Sequence, residues 1–218
     1  MELTVVYDNK ADAGLISGWG FSCYIESDQH RILFDTGWDG CALLENLDSL
    51  DIDIRTIDTM VLSHQHWDHI GGLSHVLNAC PGMDVYVPTS FSTNLKKEIA
   101  KVARLHEVRQ AQSILPGVYT TGELGSDIKE QSLVLEGDRG VWVVTGCAHP
   151  GLAEIMEAAS QFGDVVGIIG GLHASEEYDL LAGLEYIGAG HCTVHQQEIA
   201  ERYPDSYEAI RVGSCIQL

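Results

Sequence analysis

Ten consecutive residues restrict this chain more than anything else in it: Ser63-His64-Gln65-His66-Trp67-Asp68-His69-Ile70-Gly71-Gly72. Three histidines and an aspartate fall within six positions. The apolar run 59–62 precedes them, and a glycine pair follows, opening a helical pattern at Leu73, Val76 and Leu77. In extended backbone, residues i and i+2 point the same way, so His64 and His66 can face one metal. Asp68 and His69, carried around a turn, can face a second. Imidazole and carboxylate suit zinc, iron or manganese in water-activating sites. The segment demands a buried strand that ends at the ligands and turns directly into a helix.

The rest of the chain supplies matching elements. Residues 3–7, 21–26 and 31–34 read as strands, the last two joined by a hairpin loop, and 31–34 runs into Asp35-Thr36-Gly37. Apolar residues at 43, 44, 47 and 50 predict a helix over 41–50. Residues 84–87 form a strand, and 94–109 have helical spacing at 95, 99, 102, 103 and 105. Gly137-Asp138-Arg139 joins strands 131–136 and 140–145 as a hairpin. Helices are expected over 150–162, 176–187 and 196–203, with strands at 165–169 and 209–216. Hairpins mixed with crossovers predict mixed sheets covered by helices in a single α/β domain spanning 1–218.

Composition then removes several classes. Twelve basic against 32 acidic residues give a net charge of −20, which repels phosphate backbones and anionic lipid, so neither nucleic acid nor a membrane is an expected partner. The opening Met1-Glu2-Leu3-Thr4 lacks a basic and apolar leader pattern, so no targeting segment is expected. The six cysteines (23, 41, 80, 147, 192 and 215) form no C-x-x-C pair, which predicts reduced thiols and a cytoplasmic location. Phosphate-binding glycine loops and the G-x-S-x-G nucleophile pattern are absent.

The histidine segment, with Phe34-Asp35-Thr36-Gly37 upstream, resembles the metallo-β-lactamase-fold superfamily. Three further motifs narrow the likeness: Thr145-Gly146-Cys147-Ala148-His149-Pro150-Gly151, Gly170-Gly171-Leu172-His173 and Gly190-His191-Cys192-Thr193. Together these resemble metal-dependent hydrolases grouped with the dihydropterin–ribofuranosylaminobenzene phosphate synthases of the methanopterin pathway. The resemblance implies a four-layer αββα sandwich of two mixed sheets with helices outside. It also implies two divalent transition metals, zinc favoured over iron or manganese. His64, His66 and His149 would hold one metal, and Asp68, His69 and His191 the other. Asp35 would accept hydrogen bonds that orient ligands. The superfamily's usual bridging aspartate has no counterpart here. His173 and Cys147 are the metal-competent residues at strand ends, as a substitute bridge or, for His173, a substrate contact. His30, His75, His106 and His195 read as surface or packing histidines.

A metal with an open position generates hydroxide near neutral pH, and Asp68 can take a proton from the attacking water. The expected class is hydrolysis of a small metabolite. Lys96, Lys97, Lys101, Arg104 and Arg109 stand against only Glu98 and Glu107 in the predicted middle helix, which favours an anionic, phosphorylated substrate. Two other classes fit the same ligands: a non-haem iron oxidoreductase of the dioxygenase kind, and a metabolite or metal sensor without turnover. Metal identity separates the first, and turnover separates the second.

Overall fold

The hairpin expected at 27–30 forms, with Cys23 opposite Phe34 and Glu26 opposite Arg31 in antiparallel register. The computed structural model describes residues 1–218. Along the chain come β1 (Glu2–Tyr7), β2 (Ser22–Glu26), β3 (Arg31–Phe34), α1 (Gly40–Ser49), β4 (Thr59–Val61), α2 (Trp67–Ile70), α3 (Leu73–Ala79), β5 (Asp84–Pro88), α4 (Thr93–Ile99) and β6 (Arg104–Val108). Then follow β7 (Gln110–Leu115), β8 (Val118–Gly122), β9 (Leu133–Glu136), β10 (Val141–Thr145), α5 (Leu152–Ala159), β11 (Val165–Gly171), β12 (Tyr186–Gly190), α6 (Gln196–Arg202), β13 (Tyr207–Ala209) and β14 (Cys215–Gln217). The strands make two mixed seven-stranded sheets, in the orders β14-β1-β2-β3-β4-β5-β6 and β13-β12-β11-β10-β9-β8-β7.

Two compact units result: Met1–Val108 with Arg211–Gln217, and Arg109–Ile210 with Leu218. In the first, β14, β1 and β2 pair antiparallel, and β3 to β6 run parallel. Leu43 and Leu47 of α1 and Leu73, Val76 and Leu77 of α3 pack with Leu33, Met60, Val85 and Val87 of the sheet. Each such side chain, once buried, contributes about 1.5–3 kcal/mol. Asp39 starts α1 by accepting from the amides of Cys41 and Ala42.

The second unit repeats the plan. Strands β7, β8 and β9 are antiparallel, and β10 to β13 run parallel. Its core joins Val143, Ile168 and Ile187 to Leu152 and Ile155 of α5 and Ile199 of α6. Helix α5 begins at Gly151, which has no capping side chain, and Glu177 supplies the acceptor instead: its Oε2 takes the Leu152 amide at 2.8 Å.

Three sequence expectations fail for identifiable reasons. The helix expected over 94–109 ends at Ile99, and 104–108 become β6. Parallel pairing with β5 overrides the helical spacing, and Asp84 holds Arg104 Nη2 at 2.6 Å and His106 Nε2 at 2.7 Å. The bonds from Arg104 keep the Asp84 carboxyl below its ordinary range. The five cationic residues therefore do not share one helix: Lys96 and Lys97 stay on α4, and Arg104 lies on β6. Lys96 binds Glu107 and the Thr89 carbonyl, and Lys101 binds Glu98.

The helix expected over 176–187 is one 3-10 turn, Tyr178–Leu181. Gly183, at φ +84°, breaks it, and 186–190 enter the sheet as β12 between β11 and β13. The closing strand over 209–216 is interrupted by Gly213 at φ +100°. Its two ends belong to different sheets: β13 pairs with β12, and β14 with β1. The hairpin β7–β8 occupies a stretch without a clear sequence pattern. No helix is long and apolar enough to cross a membrane.

Candidate metal centre

In the first unit, four candidate ligands and Asp35 gather beyond the C-terminal ends of β3 and β4. Asp35, fully buried, is the first residue past β3. Its Oδ1 accepts from the Ser63 amide at 2.7 Å. Its Oδ2 accepts from Ser63 Oγ at 2.6 Å and from His69 Nδ1 at 2.7 Å. Ser63 has one hydroxyl proton, and Asp35 takes it. The same oxygen, 2.9 Å from His64 Nδ1, must then accept from that ring nitrogen. One carboxylate thus fixes two imidazoles as Nδ1–H tautomers, one directly and one through Ser63, and each turns an Nε2 lone pair outward.

The other two residues complete the group. His66 Nδ1 lies 3.0 Å from His64 Nε2. Asp68 Oδ2 lies 3.9 Å from His69 Nε2. The turn that carries them is pinned through its backbone: the Thr36 amide and hydroxyl both donate to the His69 carbonyl, and the Phe21 amide donates to that of Asp68. Gly72 permits the close approach, since a Cβ there would stand 2.4 Å from the Thr36 carbonyl oxygen.

The second unit reaches the same result with a residue that sequence reasoning missed. Glu130, fully buried, lies just before β9. Its Oε1 accepts from the amides of Gly146, Cys147 and Ala148 at 3.1, 2.8 and 3.0 Å. Its Oε2 accepts from the His149 amide at 3.1 Å and His149 Nδ1 at 2.8 Å. His149 is thereby an Nδ1–H tautomer with its Nε2 lone pair outward, and its ring stands 5.1 Å from that of exposed His173. Buried Cys147 and His191 come together with Cys192, one ligand atom of each lying within 4.8 Å of the others.

Backbone strain marks the same places. Among five non-glycine residues at positive φ, four follow parallel strands: Asp35 (56°), Ala148 (57°), His173 (49°) and His191 (46°). Such conformations cost roughly 1–3 kcal/mol each and persist where the surroundings impose them. The remaining histidines have local partners. His30 lies 3.4 Å from Asp58, His106 binds Asp84, His195 lies 3.5 Å from Glu198, and His75 Nε2 lies 3.6 Å from Cys41 Sγ.

The donor set therefore fits divalent metals: outward imidazole nitrogens with their opposite nitrogens tied down, plus a carboxylate and thiols. Comparison with known proteins agrees. A 7,8-dihydropterin-6-methyl-4-(β-D-ribofuranosyl)-aminobenzene-5'-phosphate synthase of Methanocaldococcus jannaschii is 26% identical over 92% of this chain and 89% of its own. The fold matches a metal-dependent hydrolase of the β-lactamase superfamily with a TM-score of 0.82, at 22% identity over 100% of this chain and 99% of the other. It also matches a diphosphatase of the PhnP family, with a TM-score of 0.67 at 16% identity over 100% and 97%. Residues 20–157 match the family model of the metallo-β-lactamase superfamily. A strand-end histidine cluster tied to buried carboxylates, on two mixed seven-stranded sheets, is thus carried by a chain that belongs to the metallo-β-lactamase superfamily.

Proposed function

We propose that the protein is a metal-dependent hydrolase acting on a small phosphorylated metabolite. One observation carries the reading: each unit devotes a fully buried carboxylate to fixing an imidazole as the Nδ1–H tautomer, Asp35 for His69 and Glu130 for His149. Burying a carboxylate is costly unless it is fully satisfied, and an oriented Nε2 lone pair is what a catalytic metal requires of histidine. The proposed ligands are His64, His66, Asp68 and His69 from the first unit and His149 and His191 from the second, for two zinc ions.

Such metals would supply Lewis acidity that activates water at neutral pH. Asp68, partly exposed beside His69, accepts the proton from the attacking water. His173, exposed beside His149, contacts the substrate. The name of the archaeal relative, a synthase of a 5'-phosphate, supports a phosphorylated substrate. The net charge of −20 argues against a polyanion such as nucleic acid. Lys96 and Lys101 are paired to Glu107 and Glu98, so the metals are proposed to receive the substrate's charge.

The test is elemental analysis of the purified protein alongside turnover of a panel of phosphomonoesters, phosphodiesters and carboxylic esters. Bound zinc and phosphoester cleavage are expected, with loss of the zinc held by His66 and of activity in His66→Ala. Full metal content and activity in His66→Ala would refute the ligand assignment. Turnover of carboxylic esters alone would refute the substrate class.

A further inference from the structure

We propose that Cys147, His191 and Cys192 form a sulfur-containing site for a borderline-soft divalent metal, zinc above all, on the second unit. This rests on the hydrolase reading and deepens it, giving the metal at His191 two thiolate ligands. The two cysteines are 45 positions apart. The parallel strands β10 and β12, on either side of β11, bring them to the same edge of the sheet, flanking the end of β11.

Three features build the site. First, one ligand atom of each residue lies within 4.8 Å of the other two. Zinc takes sulfur at about 2.3 Å and nitrogen at about 2.0–2.1 Å, so donors around it stand roughly 3.3–3.8 Å apart. Second, Gly171 lets backbone and sulfur crowd together: a Cβ there would stand 2.4 Å from the Gly146 carbonyl oxygen, 2.7 Å from Cys192 Sγ and 3.3 Å from Cys147 Cα. Third, the frame is fixed. Glu130 holds the Cys147 amide, and the 190–193 turn is closed by Thr193, whose hydroxyl donates to the Gly190 carbonyl and accepts from the Leu172 amide.

The chemistry of the set is specific. Two thiolates neutralise a divalent charge where Cys147 and His191 are both buried, and half-buried Cys192 leaves a route in. Sulfur and imidazole favour zinc or cobalt over magnesium, calcium or manganese, which prefer oxygen. The second unit would thus supply three of this metal's donors, two sulfurs and one imidazole.

The experiment is cobalt substitution of the chelated full-length protein in reducing buffer, read by thiolate-to-cobalt charge-transfer absorption in the near ultraviolet. The band should appear in the parent, weaken by about half in Cys192→Ser, where one of two thiolates is lost, and survive in His66→Ala. X-ray absorption of the zinc form should show a sulfur shell at about 2.3 Å. Cys147→Ser should weaken the band likewise, and Cys192→Ser, at a half-buried position, keeps the test decisive if Cys147→Ser fails to fold. Cobalt bound without the band, or an equal band in Cys192→Ser, would overturn the sulfur site and leave the hydrolase reading standing. No cobalt binding by the parent would overturn both.

Discussion

Asp35 and Glu130 do the same task in the two units by different means. Asp35 works mainly through side chains, holding Ser63 Oγ and His69 Nδ1 and, through Ser63, His64. Glu130 works mainly through backbone, holding four consecutive amides from Gly146 to His149 and only one ring nitrogen. Side-chain wiring dictates residue identity at every contact. Amide wiring dictates a loop shape and leaves the loop's residues open. The first arrangement should fail by losing metal, and the second by losing the fold.

The largest effect belongs to Glu130. Glu130→Ala strands four amides, three of them buried, and the His149 ring, which should cost on the order of 3–5 kcal/mol and show as a large drop in the urea midpoint. Glu130→Gln should recover part of that, since its oxygen can still serve the amides. A midpoint within error of the parent for Glu130→Ala would erase the contrast.

Asp35→Asn comes next. Its single oxygen acceptor cannot serve Ser63 and His69 as a carboxylate does. About 10–100-fold weaker zinc binding is expected by competition with a chelator, with about 1–3 kcal/mol of stability lost. If stability falls as far as in Glu130→Ala while zinc affinity holds, the assignment of roles is reversed. Ser63→Ala should be milder, near the lower end of that affinity range, because it removes the acceptor of His64 Nδ1 and one donor to Asp35 but leaves His69 held. Unchanged zinc affinity would show that the Ser63 link does not orient His64.

The smallest effect is expected at the former cationic face. Lys101 and Glu98 form an exposed pair, so Lys101→Glu should change stability by less than about 1 kcal/mol and leave KM for a phosphoester unchanged within about twofold. A salt-sensitive rise in KM would restore a role for this face in recognising anions.

The same contrast explains what was legible beforehand. His64, His66, Asp68 and His69 sit in ten residues of sequence, where their spacing is itself a signal, and Asp35 ends an apolar run. Glu130 has neither advantage: its partner His149 is 19 positions away, and its other partners are backbone groups with no sequence signature. Helix spacing over 94–109 misled because residues 104–108 are fixed by pairing with β5, which acts from outside the window. Over 176–187 the missed signal was Gly183, a break inside an otherwise helical pattern.

The last strand has a consequence for synthesis. β14 completes the first unit by pairing with β1, Leu3 against Ile216, and it is made after residues 109–210 of the second unit. Until it leaves the ribosome, the outer edge of β1 stays open, with unpaired backbone groups able to capture a strand from a neighbouring nascent chain. Strand β1 thus waits for a partner made after residues 109–210, and translation speed and chaperone access set how long that edge is exposed.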